Sequence, residues 1–178
     1  MNNTYPVSAR LKQVFVISLV CTISWMIMMG SAIKPLNSKQ IVSFELAKTT
    51  EAATVIIREW EEKDLITNAR KSIYLDFGFL ILYSVSIGIG CVVLSAFTKN
   101  SFLVRLGLIL SKIVPLAAIF DIIENLAMLK SISGEITIHS TTVAYWFASF
   151  KFLIVLCALL FVLGCLIFGG LRRTLNRQ

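Results

Sequence analysis

The chain has one histidine, three prolines and four cysteines in 178 residues, and only 15% of it is charged. Each scarcity excludes a class of chemistry. His139 stands alone in a short polar stretch, and Cys21, Cys91, Cys157 and Cys165 lie inside apolar runs with no CxxC pair. No metal-ligand spacing results, and neither a metal nor a cofactor is expected. The cysteines read as small hydrophobes packed between helices. No glycine-rich loop cradles a phosphate. Gly88 and Gly90 fall inside an apolar run, where with Ser84 and Ser86 they give the small-residue spacing of close helix packing.

What the chain has in excess is apolar surface: 57% of its residues are hydrophobic. Soluble domains are about 45–50% apolar and about 25% charged, and a core of this size cannot hide the surplus. Disorder, a disulfide scaffold and a nucleic-acid partner are therefore excluded, although the net charge is +7. The composition implies an all-α integral membrane protein in one membrane domain, residues 1–178, whose first partner is the lipid bilayer.

Residues 14–33, 73–97, 102–129 and 143–171 are each long enough to cross a bilayer, which takes about 20 apolar residues. The expected fold is an antiparallel four-helix transmembrane bundle. Its third span must tolerate Lys112, Asp121 and Glu124, and it contains Pro115, which removes an intrahelical hydrogen bond. Arg10 and Lys12 precede the first span and Gly30-Ser31-Ala32 closes it, so this segment also fits a secretory leader. Its apolar stretch is longer than the usual core of about 7–15 residues.

The basic residues set the orientation. One end of the bundle would carry Arg10, Lys12, Lys99, Arg105, Arg172, Arg173 and Arg177 and no acid. That end is expected in the cytoplasm, with both termini, in a bacterial inner membrane. Trp25, Trp60 and Trp146 read as interfacial anchors. The connection over residues 34–72 contains no glycine and reads as an amphipathic helix over about residues 38–62 on the outer face. Ser38 fits its N-cap. Val42, Leu46, Thr49, Ala53, Ile56, Ile57 and Trp60 share its apolar face, and Asp64 could start a further short helix. This element is either a docked connector or a lid over a site.

The informative feature is the set of ionisable side chains inside the spans: Asp76, Asp121, Glu124 and Lys151. Each costs about 2.5–3.5 kcal/mol at the centre of a membrane helix, together on the order of 10 kcal/mol unpaired. Counted from the outer ends at about 1.5 Å per residue, they lie roughly 6 Å (Asp76), 9 Å (Glu124) and 13 Å (Asp121 and Lys151) deep. Asp121, Glu124 and Asn125 share a helix face, and Tyr83 lies two turns from Asp76 on its own face. Lys112 sits near the inner end and can snorkel away. One lysine cannot neutralise three carboxylates, so the surplus must find protons, a cation or water.

The strings IVSFELAKTTEAA (residues 41–53), LDFGFLILYS (75–84), DIIENLAML (121–129) and the FKF around Lys151 together resemble a family of uncharacterised bacterial membrane proteins with four spans. The resemblance implies that Glu45, Asp76, Tyr83, Asp121, Glu124, Asn125 and Lys151 are the positions to watch, as ligand-binding or proton-relay candidates. It implies no activity.

The favoured function on these grounds is binding or transport of a small cationic or amphiphilic molecule, or a lipid headgroup, in a carboxylate-rich pocket. Two alternatives stand beside it. One is an intramembrane enzyme acting on a lipid or isoprenoid, with the carboxylates as acid and base. The other is a structural or accessory subunit with a buried ion-pair network, in which a homo-oligomer is also compatible with the sequence.

Overall fold

A computed structural model describes residues 7–175, with side chains through residue 169. Arg177 and the side chains of Arg172 and Arg173 lie outside what is described. The fold is all-α, with α1 (Ala9–Ala32), α2 (Ser38–Glu45), α3 (Thr50–Glu62), α4 (Ile66–Phe97), α5 (Ser101–Ile132) and α6 (Ile138–Leu175). Four of these, α1, α4, α5 and α6, are long and apolar enough to cross a membrane, and the chain is a multi-pass membrane protein. α5 packs along both α4 and α6, α4 also meets α6, and α1 lies along α4.

The long helices overrun their apolar stretches. α4 begins at Ile66 and α6 at Ile138, several residues before the hydrophobic runs do. Asn68 explains the first extension, because its amide donates to the carbonyls of Ile33 and Lys34 and ties α4 to the end of α1. Leu65, Ala69 and Ile73 supply the second reason, since all three are buried under the α2–α3 connection. At 32 residues, α4 is about 48 Å long, well beyond a hydrocarbon core of about 30 Å.

The connection forms two helices instead of the single one expected over residues 38–62. Asn37, and not Ser38, caps α2, in a capping box where its side chain accepts from Gln40 N and the Gln40 side chain accepts from Asn37 N. Residues 46–49 are not helical, and Thr49 restarts the chain as the N-cap of α3 by accepting from Ala52 N. This break resets the helical phase, so the predicted apolar face divides. Ala53, Ile57 and Trp60 are buried, whereas Val42 and Leu46 are exposed and Ile41, Phe44 and Ala47 point inward instead. Asp64 caps nothing; it takes a left-handed backbone (φ 54°) in the turn before α4.

The apolar faces of α2 and α3 close onto the bundle. Leu36, Phe44, Ile57 and Trp60 form one core with Ile73 of α4, Met128 and Ile132 of α5, and Ala144 of α6. Trp60, expected at a membrane interface, is 1% exposed and packs edge-on against Phe44 at 5.1 Å. Its area is spent joining the two short helices to the roof core.

At the opposite end, small residues set the spacing. A Cβ on Gly107 would lie 2.5 Å from the Cys91 carbonyl oxygen and 2.5 Å from Ser95 Oγ, so α5 and α4 touch backbone to backbone there. α5 runs through Pro115 without ending. The proline leaves the Ser111 carbonyl without its helical donor, and that oxygen faces Gly88 of α4. α1 is seated by two aromatics: Trp25 fills the space over Gly78 and donates to the Leu75 carbonyl at 3.1 Å, and Phe15 lies over Gly90.

Gly107→Ala should therefore lower stability by about 1–3 kcal/mol through overpacking, despite alanine's higher helix propensity. Gly164→Ala, where nothing lies within 4 Å, should be neutral or stabilising. Thermal unfolding of both variants in detergent checks the contrast.

Candidate functional site

Three long helices bring polar side chains to one level of the bundle, under the α2–α3 connection. Lys151 of α6 is the centre. Its Nζ donates to Asp121 Oδ1 at 2.8 Å, stands 2.8 Å from Glu124 Oε2, and meets Glu45 Oε2 at 3.8 Å. The other oxygen of Asp121 accepts from the Tyr83 hydroxyl of α4 at 3.0 Å. One turn further along α5, Asn125 donates to Asp76 Oδ2 of α4 at 2.8 Å. Each of the seven residues singled out from the sequence thus takes part in one contiguous set.

Local sequence explains the convergence. Asp121, Glu124 and Asn125 follow i, i+3, i+4 spacing, so a single stripe of α5 faces both neighbours. Asp121, Glu124 and Asn125 are at most 2% exposed, and Lys151 is 6% exposed. The Lys151 Nζ also lies over the Phe152 ring, 4.9 Å from its centroid. Glu45 is the last residue of α2 and enters from outside the spans, at 8% exposure. Only the resemblance pointed to Glu45. Its own spacing sets it three residues from Val42 and four from Thr49, at the flank of the apolar face expected for the connection, where a carboxylate reads as solvated.

The set is dense but unevenly satisfied. Asp121 has both oxygens occupied. Glu124 Oε1 is buried without a hydrogen-bond partner, and Glu45 Oε2 likewise has only the longer ionic contact. Three carboxyl groups meet one ammonium and a fourth, that of Asp76, is held through Asn125, an imbalance that makes a fully ionised buried set costly. Burial holds the Glu45 carboxyl above its ordinary value. The Lys151 ammonium pulls it down less strongly, and Asp121 adds to the upward push.

The helix lengths place the cluster along the bundle. Counted from the α4–α5 turn at about 1.5 Å per residue, Asp121 lies roughly 30 Å along α5 and Asp76 roughly 32 Å along α4. The cluster therefore lies toward the α2–α3 end of both helices, far from the α4–α5 turn.

Sequence reading missed a second polar group beside this one. Ser131 Oγ donates to Ser140 Oγ at 3.0 Å, and Thr137 and Ser140 exchange hydrogen bonds ahead of α6. The ITIHS stretch carries the usual signal of a cap, two hydroxyl residues three apart. Lys48, in the turn after α2, lies 5.4 Å from the Tyr145 ring and 5.8 Å from Trp146 on α6.

Two cavities lie elsewhere. One, about 340 Å³, is bounded by Leu11, Ser84, Gly88, Ser111 and Pro115. The other, about 360 Å³, is bounded by Phe15, Gly90, Leu94, Leu159 and Leu166. Neither is lined by a member of the cluster. Among the described residues, no three His, Cys, Asp or Glu side chains converge as a metal site. No protein-family model, curated protein or solved structure matches the chain.

Removing the central cation should cost far more than removing a peripheral donor. Lys151→Met leaves buried carboxylates uncompensated, an expected loss of about 3–5 kcal/mol. Tyr83→Phe removes one hydrogen bond to a charged group, an expected loss of about 1.5–3 kcal/mol. Unfolding midpoints measured side by side test the order.

Proposed function

We propose that this protein is a structural or accessory membrane subunit whose ion-pair cluster clamps three spans in one register and seats the α2–α3 connection on them. The observation that carries this reading is the position of Lys151 Nζ, 2.8 Å from both Asp121 and Glu124 in a buried setting. Such contacts hold helices together where lipid offers apolar side chains no advantage in packing with each other. In this reading the four apolar helices form an antiparallel bundle, the α2–α3 connection lies on the outer face, and both termini are cytoplasmic. The acid-free basic end supports that orientation. The bacterial inner membrane and the four-span uncharacterised family are part of the same proposal, resting on the FELA, LDFGF, DIIEN and FKF motifs.

A charge exchange tests the clamp. Glu124→Lys and Lys151→Glu should each lower the unfolding midpoint strongly, and the double variant should recover a substantial part of the loss. A double variant no better than either single one would refute the clamp.

A second reading is favoured by one observation, the unpartnered Glu124 Oε1. In it, the carboxylates receive a small cationic or amphiphilic molecule or a lipid headgroup when the connection lifts. Reconstituted vesicles would then accumulate a lipophilic cation such as tetraphenylphosphonium, and Glu124→Gln would abolish uptake. The clamp reading expects uptake no greater than in protein-free vesicles.

A further inference from the structure

The turn that ends α2 reaches the cluster through a carboxyl group. Glu45 is the last residue of α2, and the four residues after it are non-helical, a natural hinge before α3. Its carboxyl is buried, yet Oε2 has no hydrogen-bond partner and stands 3.8 Å from Lys151 Nζ. The same turn is anchored by Lys48 against the rings of Tyr145 and Trp146. Apart from these two charged side chains, the turn is held by the apolar contacts of Ile41, Phe44 and Ala47.

We propose that Glu45 is a proton-binding site: with the proton bound, the α2 turn closes over the ion-pair cluster, and when the proton leaves, the turn lifts and admits water to it.

The groups facing Glu45 explain why the proton decides. Lys151 of α6 is the cation opposite it, and that ammonium is already committed at 2.8 Å to Asp121 and to Glu124 of α5. Asp76 of α4 adds a further carboxyl through Asn125, and Lys48 points its charge away to the aromatic rings. An ionised Glu45 would bring one more negative charge into a desolvated set with a single ammonium. A neutral carboxyl in the same place costs far less to bury. Burial accordingly lifts the Glu45 carboxyl above its ordinary value, with Lys151 opposing. The sign follows from linkage. A group whose docked pKa is raised stabilises the closed turn below its free pKa, and that contribution is lost as pH rises through the raised value. The turn opens on the alkaline side.

The inference extends the clamp reading, and the two fail separately. A failed clamp shows in the unfolding midpoints of charge-exchange variants, whereas this proposal is read in the local protection of one turn. The experiment is hydrogen exchange on the full chain in phosphatidylcholine nanodiscs between about pH 5 and about pH 9, with intrinsic exchange rates divided out. Protection of the amides of residues 41–47 should fall severalfold as pH rises, because the closed turn binds the proton more tightly than the open one. α5 amides near Asp121 should keep the protection of an intact bundle. Glu45→Gln should hold the turn protected at every pH, and Glu45→Asp should keep the slope with a displaced midpoint. A flat wild-type profile overturns the proposal, as does an unchanged slope in Glu45→Gln. Should the glutamine variant not fold, the aspartate variant decides, and a midpoint identical to wild type overturns the proposal.

Discussion

The contact on which the rest of the structure depends is a single ammonium held between two carboxylates of the neighbouring helix. In water, Lys151 with Asp121 and Glu124 would be worth little, because solvent screens such pairs. Buried, the same contact becomes a geometric constraint. Moving α6 by one turn along α5 would carry the ammonium about 5.4 Å from its partners and leave charges unpaired in a medium of low dielectric. Apolar packing offers no comparable penalty, since a leucine stripe meets lipid or another leucine on nearly equal terms. The polar cluster thus selects one register among many that the apolar surfaces would tolerate. Tyr83 and Asn125 extend the selection to α4, which reaches Asp121 through one residue and offers Asp76 to the other.

The other half of the bundle uses a different device. Between Gly107 and Cys91 the helices approach until a methyl group no longer fits, so van der Waals contact takes over from charge. α1 shares in neither arrangement fully. Ser18 is its one buried residue among those described, and two aromatic side chains seat it on glycines of α4. The molecule is better understood as three helices locked by charge and close contact, with a fourth laid against them. The two cavities lie beside α1, one between it, α4 and α5 and the other between it, α4 and α6.

Much of this is legible in the sequence because transmembrane segments are restrictive. Four apolar runs announce four long helices, and charged residues within them stand out because each is expensive. Helical spacing alone, at i, i+3 and i+4 on α5, puts Asp121, Glu124 and Asn125 on one face. The α2–α3 connection is less legible for a physical reason. Its residues read as one continuous amphipathic stripe, since nothing in Leu46-Ala47-Lys48-Thr49 breaks a helix by propensity alone. The break answers a tertiary demand: Ile41, Phe44 and Ala47 and also Ala53, Ile57 and Trp60 all enter one core, and on one uninterrupted helix Phe44 would lie opposite the second set. Trp60 misleads for a related reason. An indole suits a membrane interface and a protein core equally well, and only the roof over the bundle decides between them.

That roof explains the length of the connection. Helices about 48 Å long protrude from a hydrocarbon core of about 30 Å, and where they emerge their inward faces would meet headgroups and water. Water at Asp121 and Glu124 would weaken the selection of register, because the penalty for misalignment depends on a low dielectric. The cores of α2 and α3 fill that position with Phe44, Ile57 and Trp60, and the cluster beneath them is buried. This roof of two short helices meets the cluster through one acidic side chain, that of Glu45. Under the proposed proton switch, that contact is where the cover of the cluster would be adjusted without disturbing the spans.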